Sequence, residues 1–268
     1  MTDTRPEKNT KVIGIASGKG GVGKTTLAIY LASFHAQQGK RVLIFDADIG
    51  LGNIHIALRN KLNGTLIDVL EGNKEIDEIL VETNIGISIV SGGNGFDEIL
   101  ALDEGKTNSI IQSFAALQGQ FDIMIVDISA GADQSVLNFL SACHHQIVIG
   151  TNEPSSIADA YALIKLLKLK IGVEKIIFLP NRVKTHSEGR ILFDKMNAIS
   201  AKFLGLSLTH AGSISESPDY DTAWSKGIAA VSIGKTTPCY HDFTDLVDEL
   251  DKLHIGKTSK QLQFFNLS

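Results

Sequence analysis

The chain has 268 residues, of which 43% are hydrophobic and 21% are charged, which is typical of a single globular domain. Its net charge of −5 argues against a generally basic surface for nucleic acid, so nucleic acid is not an expected partner. Two cysteines without a CxxC pair indicate neither a zinc knuckle nor a disulfide framework. The sequence has no run of about 18 apolar residues, so we expect a cytoplasmic protein or one bound peripherally to the inner face of the membrane.

Residues 1–10 are polar and mixed in charge, and we expect them to form a flexible leader. Residues 11–254 carry the patterns of one folded domain, and residues 255–268 follow it as a tail. Short apolar runs that alternate with helical patterns predict buried strands, at 11–17, 41–48, 121–129, 145–152 and 174–181. Near the end, apolar residues at helical spacing over 243–253 predict a helix that docks on the core and ends before Gly256.

This alternation predicts an α/β fold, with a mostly parallel twisted sheet and helices on both faces. Right-handed crossovers place the carboxyl ends of parallel strands at one edge of the sheet, where ligands bind. Most of the conspicuous polar residues follow strands, and we expect them to form one site: Asp46, Asp48, Asp127, Asn152, Glu153 and Asn181.

The stretch SGKGGVGKTT (17–26) fits the phosphate-binding pattern G-x-x-x-x-G-K-[ST] between a predicted strand and a predicted helix. Its glycines allow backbone N–H groups to turn inward, and the helix amino terminus favours negative charge. We expect Lys24 to reach the β- and γ-phosphates of a nucleotide and the Thr25 hydroxyl to bind Mg²⁺. The predicted nucleotide-binding residues of the loop are Gly20, Gly21, Val22, Gly23, Lys24, Thr25 and Thr26.

Acidic residues at the predicted strand ends suit a magnesium site and an attacking water. We assign Asp127 and Asp46 to the Mg²⁺ shell. Asp48 is the candidate that orients the attacking water, with Gln134 as a weaker alternative. The backbone N–H of Gly131 is placed to sense the γ-phosphate.

The loop holds a second lysine, and Lys19-Gly-Gly-Val-Gly-Lys24-Thr-Thr resembles the deviant Walker A motif of the MinD/ParA (SIMIBI class) P-loop ATPases. The resemblance extends over about residues 11–250. It implies a slow, dimer-dependent ATP hydrolase that binds ATP and Mg²⁺ and forms an ATP-sandwiched homodimer. It also implies that Lys19 reaches the phosphates bound by the partner subunit, where it would act in catalysis with Lys24 and Asp48.

Two segments, DADIGLGNIHIAL (46–58) and EPSSIADAYALIK (153–165), look most like the FlhG (FleN) branch of this family, which regulates flagellar number and placement. The segment LPNRV (179–183) resembles the one that contacts adenine, which makes Asn181 the base-reading residue. The loop SISESPDY (213–220) resembles the lid over the base and implies contacts from Pro218 and Asp219. The chain contains no N-K-x-D guanine-reading motif, in agreement with adenine specificity.

Two departures from the FlhG pattern are present. The first is that MTDTRPEKNTK contains no DQAxxLR-type segment, the part of FlhG proteins that stimulates the GTPase FlhF. Whether the protein partner is FlhF or a flagellar component is therefore left open. Ile128 stands where relatives have Thr or Ser, which would weaken magnesium coordination and slow hydrolysis.

The resemblance also implies a role for the tail, 255–268, because members of this family carry a membrane-targeting helix at this position. We expect Phe264 and Phe265 to be exposed beside Lys257 and Lys260 and to insert shallowly into the membrane interface. Packing of the tail on the protein's own surface and plain disorder remain alternatives. Other functions also stay open, namely a ParA-type partitioning ATPase, a MinD-type division-site ATPase and a nucleotide-binding interaction module without turnover.

Overall fold

The computed structural model describes residues 10–49, 52–93, 102–218, 220, 235–254 and 262–265. The strands within these residues are β1 Lys11–Ser17, β2 Val42–Ala47, β3 Val81–Glu82, β4 Ile87–Ser91, β5 Ile123–Ala130, β6 His145–Gly150, β7 Ile176–Val183 and β8 Ile214–Ser215. The helices with described bounds are α1 Lys24–Gln37, α2 Ile54–Ala57, α3 Leu66–Leu70, α4 Glu104–Ser113, α5 Gln134–Ser141, α6 Pro154–Leu166, α7 His186–Leu204 and α8 Pro238–Lys252. A 3₁₀ turn, Phe114–Leu117, follows α4, and a π-helical turn, Leu167–Ile171, extends α6.

The strands form one sheet in the order β3-β4-β2-β5-β1-β6-β7-β8. Only β3 runs antiparallel to its neighbour, while the other described pairs are parallel. Strands β1 and β5 are neighbours, and the connection after β1 leads to β2 on one side while the connection after β5 leads to β6 on the other. The sheet therefore has a topological switch point between β1 and β5, where a crevice opens at the carboxyl edge. The prediction of a mostly parallel sheet is therefore confirmed.

Helices cover both faces of the sheet. One buried cluster packs the apolar sides of α4, α5, α6 and α7 against the strands. A second cluster packs α1 and α8 against the opposite face of the same strands. Because the strands are buried on both faces, their sequences are almost continuously apolar.

The five predicted strands are present within two residues of their predicted bounds. Sequence reasoning missed β3, β4 and β8, which have two, five and two residues. Helix α8 begins at Pro238, five positions before the predicted helix, because the Thr237 hydroxyl accepts a hydrogen bond from the N–H of Tyr240 and caps it. At the other end, Thr10, which we placed in the leader, is buried and donates to the Phe121 carbonyl oxygen (2.8 Å), while residues 1–9 lie outside the described residues.

The predicted exposure of the tail phenylalanines is wrong. Phe264 and Phe265 are buried, and they join the apolar cluster that contains Phe45 and Phe114. Both rings pack edge to face on Phe114. Burial of the two rings in these contacts lowers the free energy relative to their exposure to water. The alternative of packing on the protein's own surface therefore describes this conformation, and attachment of the tail to a membrane stays a prediction. Within the described part of the chain, no helix combines the length and the apolar character needed to cross a bilayer.

Candidate nucleotide-binding site

The glycine-rich loop joins β1 to α1 at the carboxyl edge of the sheet. Gly23 immediately precedes α1 with φ of 100°, and Gly21 has φ of 76°, backbone conformations that favour glycine. A Cβ atom at Gly18 would lie 2.3 Å from the Asp159 carbonyl oxygen, so the loop can approach α6 only without a side chain there. At Gly20 and Gly21 an added Cβ would meet no described atom within 4 Å, so the loop faces open space on this side. The loop is thus a cradle that could hold phosphates.

Behind the loop, Lys24 and Thr25 face the acidic end of β5. Asp127 is buried, and the Thr25 hydroxyl beside it favours the charged form of its carboxyl. Burial, reinforced by the nearby Asp46, raises the pKa of Asp127 to about 7. Among the described residues, Oδ1 of Asp127 has no hydrogen-bond partner. A buried carboxyl oxygen without a partner, beside a threonine hydroxyl, is a donor set that fits Mg²⁺.

The two acids after β2 differ in their surroundings. Asp46 lies opposite Asp127 in the strand register and is also buried. Its Oδ2 accepts a hydrogen bond from the N–H of Ile54 (3.1 Å), and its Oδ1 accepts one from the N–H of Asp48 (3.3 Å). Burial raises the pKa of Asp46 to about 6, although these bonds oppose the shift. In this conformation Asp46 therefore organises the loop after β2, and its place in the metal shell stays a prediction.

Asp48 is half-buried and near Lys24. Burial raises the pKa of the Asp48 carboxyl, and attraction to Lys24 opposes that rise. Burial likewise lowers the pKa of Lys24, and the carboxyl groups of Asp127 and Asp48 counteract it. The structure therefore brings Lys24, Asp48 and Asp127 close to one another, at the edge of the sheet where the sequence predicted one site.

Gly131 does not have the free N–H that we predicted. Its N–H donates to the carbonyl oxygen of Ser17 (2.9 Å), at the end of the β1–β5 pair, and its φ is 119°. In this conformation that N–H is unavailable to a phosphate, because the strand pairing already satisfies it. The side chain of Gln134, the alternative for orienting water, donates to Oδ1 of Asn138 (3.0 Å).

Lys19 lies on the rim of the loop, where α6 begins. Its Nζ atom is 2.8 Å from Oε2 of Glu153 and donates to Oγ of Ser155 (3.0 Å). The ion pair is largely exposed to solvent. Sequence reasoning placed Glu153 at the same edge of the sheet but did not pair it with Lys19.

A cavity lies beside the loop, on the side where the base of a nucleotide would lie if the loop held its phosphates. It is lined by Gly23, Thr26, Leu27, Asn181, Arg182, Ile214, Tyr220 and Phe243. Nδ2 of Asn181 donates to the carbonyl oxygen of Val22 (2.7 Å), which ties the end of β7 to the loop. This bond also fixes the orientation of the amide and leaves Oδ1 as an acceptor.

The residues of the predicted lid that line this cavity differ from those we expected. Pro218 is exposed in a turn, and Asp219 lies outside the described residues. Ile214 and Tyr220 of the same segment line the cavity instead, together with Phe243 of α8. Tyr220 could have been found from the sequence, because it is an aromatic residue at the end of the predicted lid segment. The sequence pattern of Phe243 indicates only a core position in a helix.

Comparisons with known proteins agree with this geometry. The AAA domain family matches residues 10–175. Antiactivator FleN of Pseudomonas aeruginosa is 37% identical over 204 residues, which cover 76% of this chain and 73% of FleN. Flagellum site-determining protein YlxH of Helicobacter pylori is 32% identical, over 78% of this chain and 71% of its own. The structure of the septum site-determining protein MinD of Pyrococcus horikoshii, complexed with Mg-ADP, superposes with a TM-score of 0.75 at 25% identity, over 91% of this chain and 96% of that one.

The matched region contains the phosphate-binding loop and the acidic residues at the ends of β2 and β5. The sheet and the helices on both its faces are those of the solved MinD structure. The chain therefore belongs to the MinD/ParA family of P-loop ATPases.

Proposed function

We propose that this protein is an ATP-dependent dimerisation switch that regulates the number and placement of flagella. The observation that carries the switch is the pair of lysines in one loop, Lys24 turned toward the acids of its own subunit and Lys19 on the exposed rim. The flagellar role is supported by the relatives named FleN and YlxH, an antiactivator and a flagellum site-determining protein. The process in which the switch acts is thus inferred from the relatives, and its chemistry from the site.

Within one subunit, the loop amides and Lys24 would hold the phosphates of ATP, and Asn181 would read the base. With its amide held by Val22, Asn181 presents Oδ1 as an acceptor, which matches the exocyclic amine of adenine and not the O6 carbonyl of guanine. Thr25 and Asp127 would hold Mg²⁺, whose charge would offset that of the phosphates. ATP and Mg²⁺ are accordingly the proposed cofactors.

Asp48 is the proposed residue that orients the attacking water. It lies near Lys24, and its carboxyl is only partly buried, so water can reach it. The Ile128 side chain, buried beside Asp127, supplies no hydroxyl to this site. We therefore propose that hydrolysis is slow and that the ATP-bound dimer is long-lived.

Dimerisation would require Lys19 to exchange partners. Within the subunit it pairs with Glu153, and in the proposed dimer it would bind the phosphates held by the other subunit. A triphosphate carries more negative charge than one carboxylate, so binding of ATP would favour the exchange. Nucleotide state and oligomeric state are linked in this way through one side chain.

The decisive experiment replaces Lys19 with alanine. We expect Lys19→Ala to bind ATP like the natural protein, since Lys24 and the loop amides act within the subunit. A symmetric dimer loses two charge-assisted contacts of roughly 1.5–3 kcal/mol each, so dimer affinity should fall by about two to four decades. Light scattering with a non-hydrolysable ATP analogue measures the dimer, and Lys195→Ala, at an exposed position on α7, is the control. A Lys19→Ala dimer as stable as the control would contradict the proposal.

The cellular role has its own test. Deleting the gene should change the number of flagella per cell, and the natural gene should restore it while the Lys19→Ala gene should not. Normal flagella together with misplaced division septa in the deletion strain would reject the flagellar assignment and favour a MinD-type role. Membrane attachment and a cytoplasmic location at the inner face of the membrane stay proposals that fractionation of the same cells can examine.

A further inference from the structure

A buried carboxylate lies directly behind the wall of the base cavity. Asp242, on α8, has a side chain that is 1% exposed. Its Oδ2 accepts a hydrogen bond from the backbone N–H of Ser215 (2.7 Å). Nε2 of His186, on the exposed start of α7, lies 3.5 Å from Oδ1, but among the described residues no hydrogen bond reaches that oxygen. Burying a carboxylate is costly, so a bond that it makes to the backbone is expected to matter for the position of both partners.

The bond between Asp242 and Ser215 connects α8 to the short strand β8. Strand β8 pairs with β7 at Asn181 and Val183, next to the phosphate-binding loop. The residues on either side of this bond line the cavity, Ile214 before Ser215 and Phe243 after Asp242. One hydrogen bond therefore joins the two parts of the wall that a base would contact.

Tyr220 completes this wall and is also influenced by Asp242. Its ring lies 5.1 Å from that of Tyr30 and 6.4 Å from that of Phe243. Burial raises the pKa of the Tyr220 hydroxyl, and the charge of Asp242 adds to that rise. The carboxylate thus joins the strand and the helix whose residues, with Tyr220, form the wall.

We propose that Asp242 is a positioning residue for base recognition, and this inference rests on the proposed binding of ATP. Through the N–H of Ser215 it fixes β8, and thereby Ile214, at the distance from Asn181 that admits a base. Asp242 itself does not reach the cavity. Its loss therefore weakens the grip on the base and leaves the grip on the phosphates unchanged, because the glycine-rich loop and Lys24 belong to other elements.

The test compares a ligand that has a base with one that has none. Calorimetry gives the dissociation constants of Mg·ATP and of Mg·tripolyphosphate for the natural protein and for Asp242→Ala. We expect the ATP constant to rise by about tenfold, as for the loss of one charge-assisted hydrogen bond, and the tripolyphosphate constant to change less than about twofold. Asp242→Asn keeps an acceptor for the Ser215 N–H and should bind ATP nearly as well as the natural protein. The matched control is Asp245→Ala, at an exposed position of the same helix.

Equal changes for both ligands, or no change for either, would overturn the positioning role. If Asp242→Ala does not fold, Ser215→Pro removes the same hydrogen bond from the donor side, in a strand at the edge of the sheet, and should give the same selective loss. A Ser215→Pro protein that binds both ligands normally would also overturn the role. A natural protein that does not bind Mg·ATP would instead contradict the proposed function, so the two failures are distinguishable.

Discussion

Replacing Phe264 with alanine tests whether the carboxyl-terminal tail is part of the folded core. Phe264 is only 3% exposed, and its ring lies 5.3 Å from that of Phe114 and 6.2 Å from that of Phe45. Both pairs are edge to face, with interplanar angles of 83° and 70°. The side chain therefore contributes both buried apolar surface and oriented aromatic contacts.

The expected loss of stability follows from these contacts. Burying a phenylalanine side chain contributes roughly 1.5–3 kcal/mol, and each edge-to-face pair adds about 0.5–1.5 kcal/mol. Because a tail can detach instead of leaving a cavity, we take the lower part of this sum, about 3 kcal/mol. At roughly 2–4 °C per kcal/mol for a chain of this size, the melting temperature should fall by about 6–12 °C.

Thermal unfolding followed by circular dichroism measures this shift. The matched control is Phe203→Ala, which removes a phenylalanine that is 65% exposed on α7 and should change the melting temperature little. Phe264→Ala with the melting temperature of this control would refute the reasoning. If it also lost binding to anionic liposomes at unchanged stability, the tail would be a membrane anchor, as the sequence first suggested.

Three further outcomes follow from the site and the core. Asp48→Ala should still bind ATP but hydrolyse almost none in a single turnover, because orienting water contributes mainly in the transition state; normal hydrolysis would move that role to another residue. Glu153→Gln should form the ATP dimer at a lower protein concentration in light scattering, since Lys19 no longer has a charged partner within the subunit, and a weaker dimer would contradict this. Burial lowers the pKa of His35 from 6.5 to about 4. The contribution of neutral His35 to the free energy of unfolding is therefore complete above pH 6.5 and is lost as the pH falls toward 4, by up to about 3 kcal/mol. His35→Gln should lack this part of the acid loss in urea titrations, whereas the exposed His241→Gln should retain it.

The sequence alone determined the phosphate-binding loop and its setting. The loop is encoded by consecutive residues, since its glycines permit the backbone conformations that the turn requires, and a strand and a helix flank it. The grouping of Asp48 and Asp127 at one edge was also predictable, because parallel strands with right-handed crossovers leave no other arrangement of their carboxyl ends. The assignment to the family agrees with these local signals.

Only the tertiary structure decided which polar groups pair with one another. Lys19 meets Glu153 from 134 positions away, and Asn181 meets the carbonyl oxygen of Val22 from 159 positions away. The N–H of Gly131, predicted to be free, is used by the strand pairing with β1.

The tail shows the same limit. A helical projection of residues 255–268 places Phe264 and Phe265 on different faces, yet both are buried in one aromatic cluster that contains Phe45 and Phe114. Hydrophobic periodicity reports which side of a local element is apolar, but not which distant surface will cover it. Strand order and register set those distances, and they arise from the packing of the whole chain.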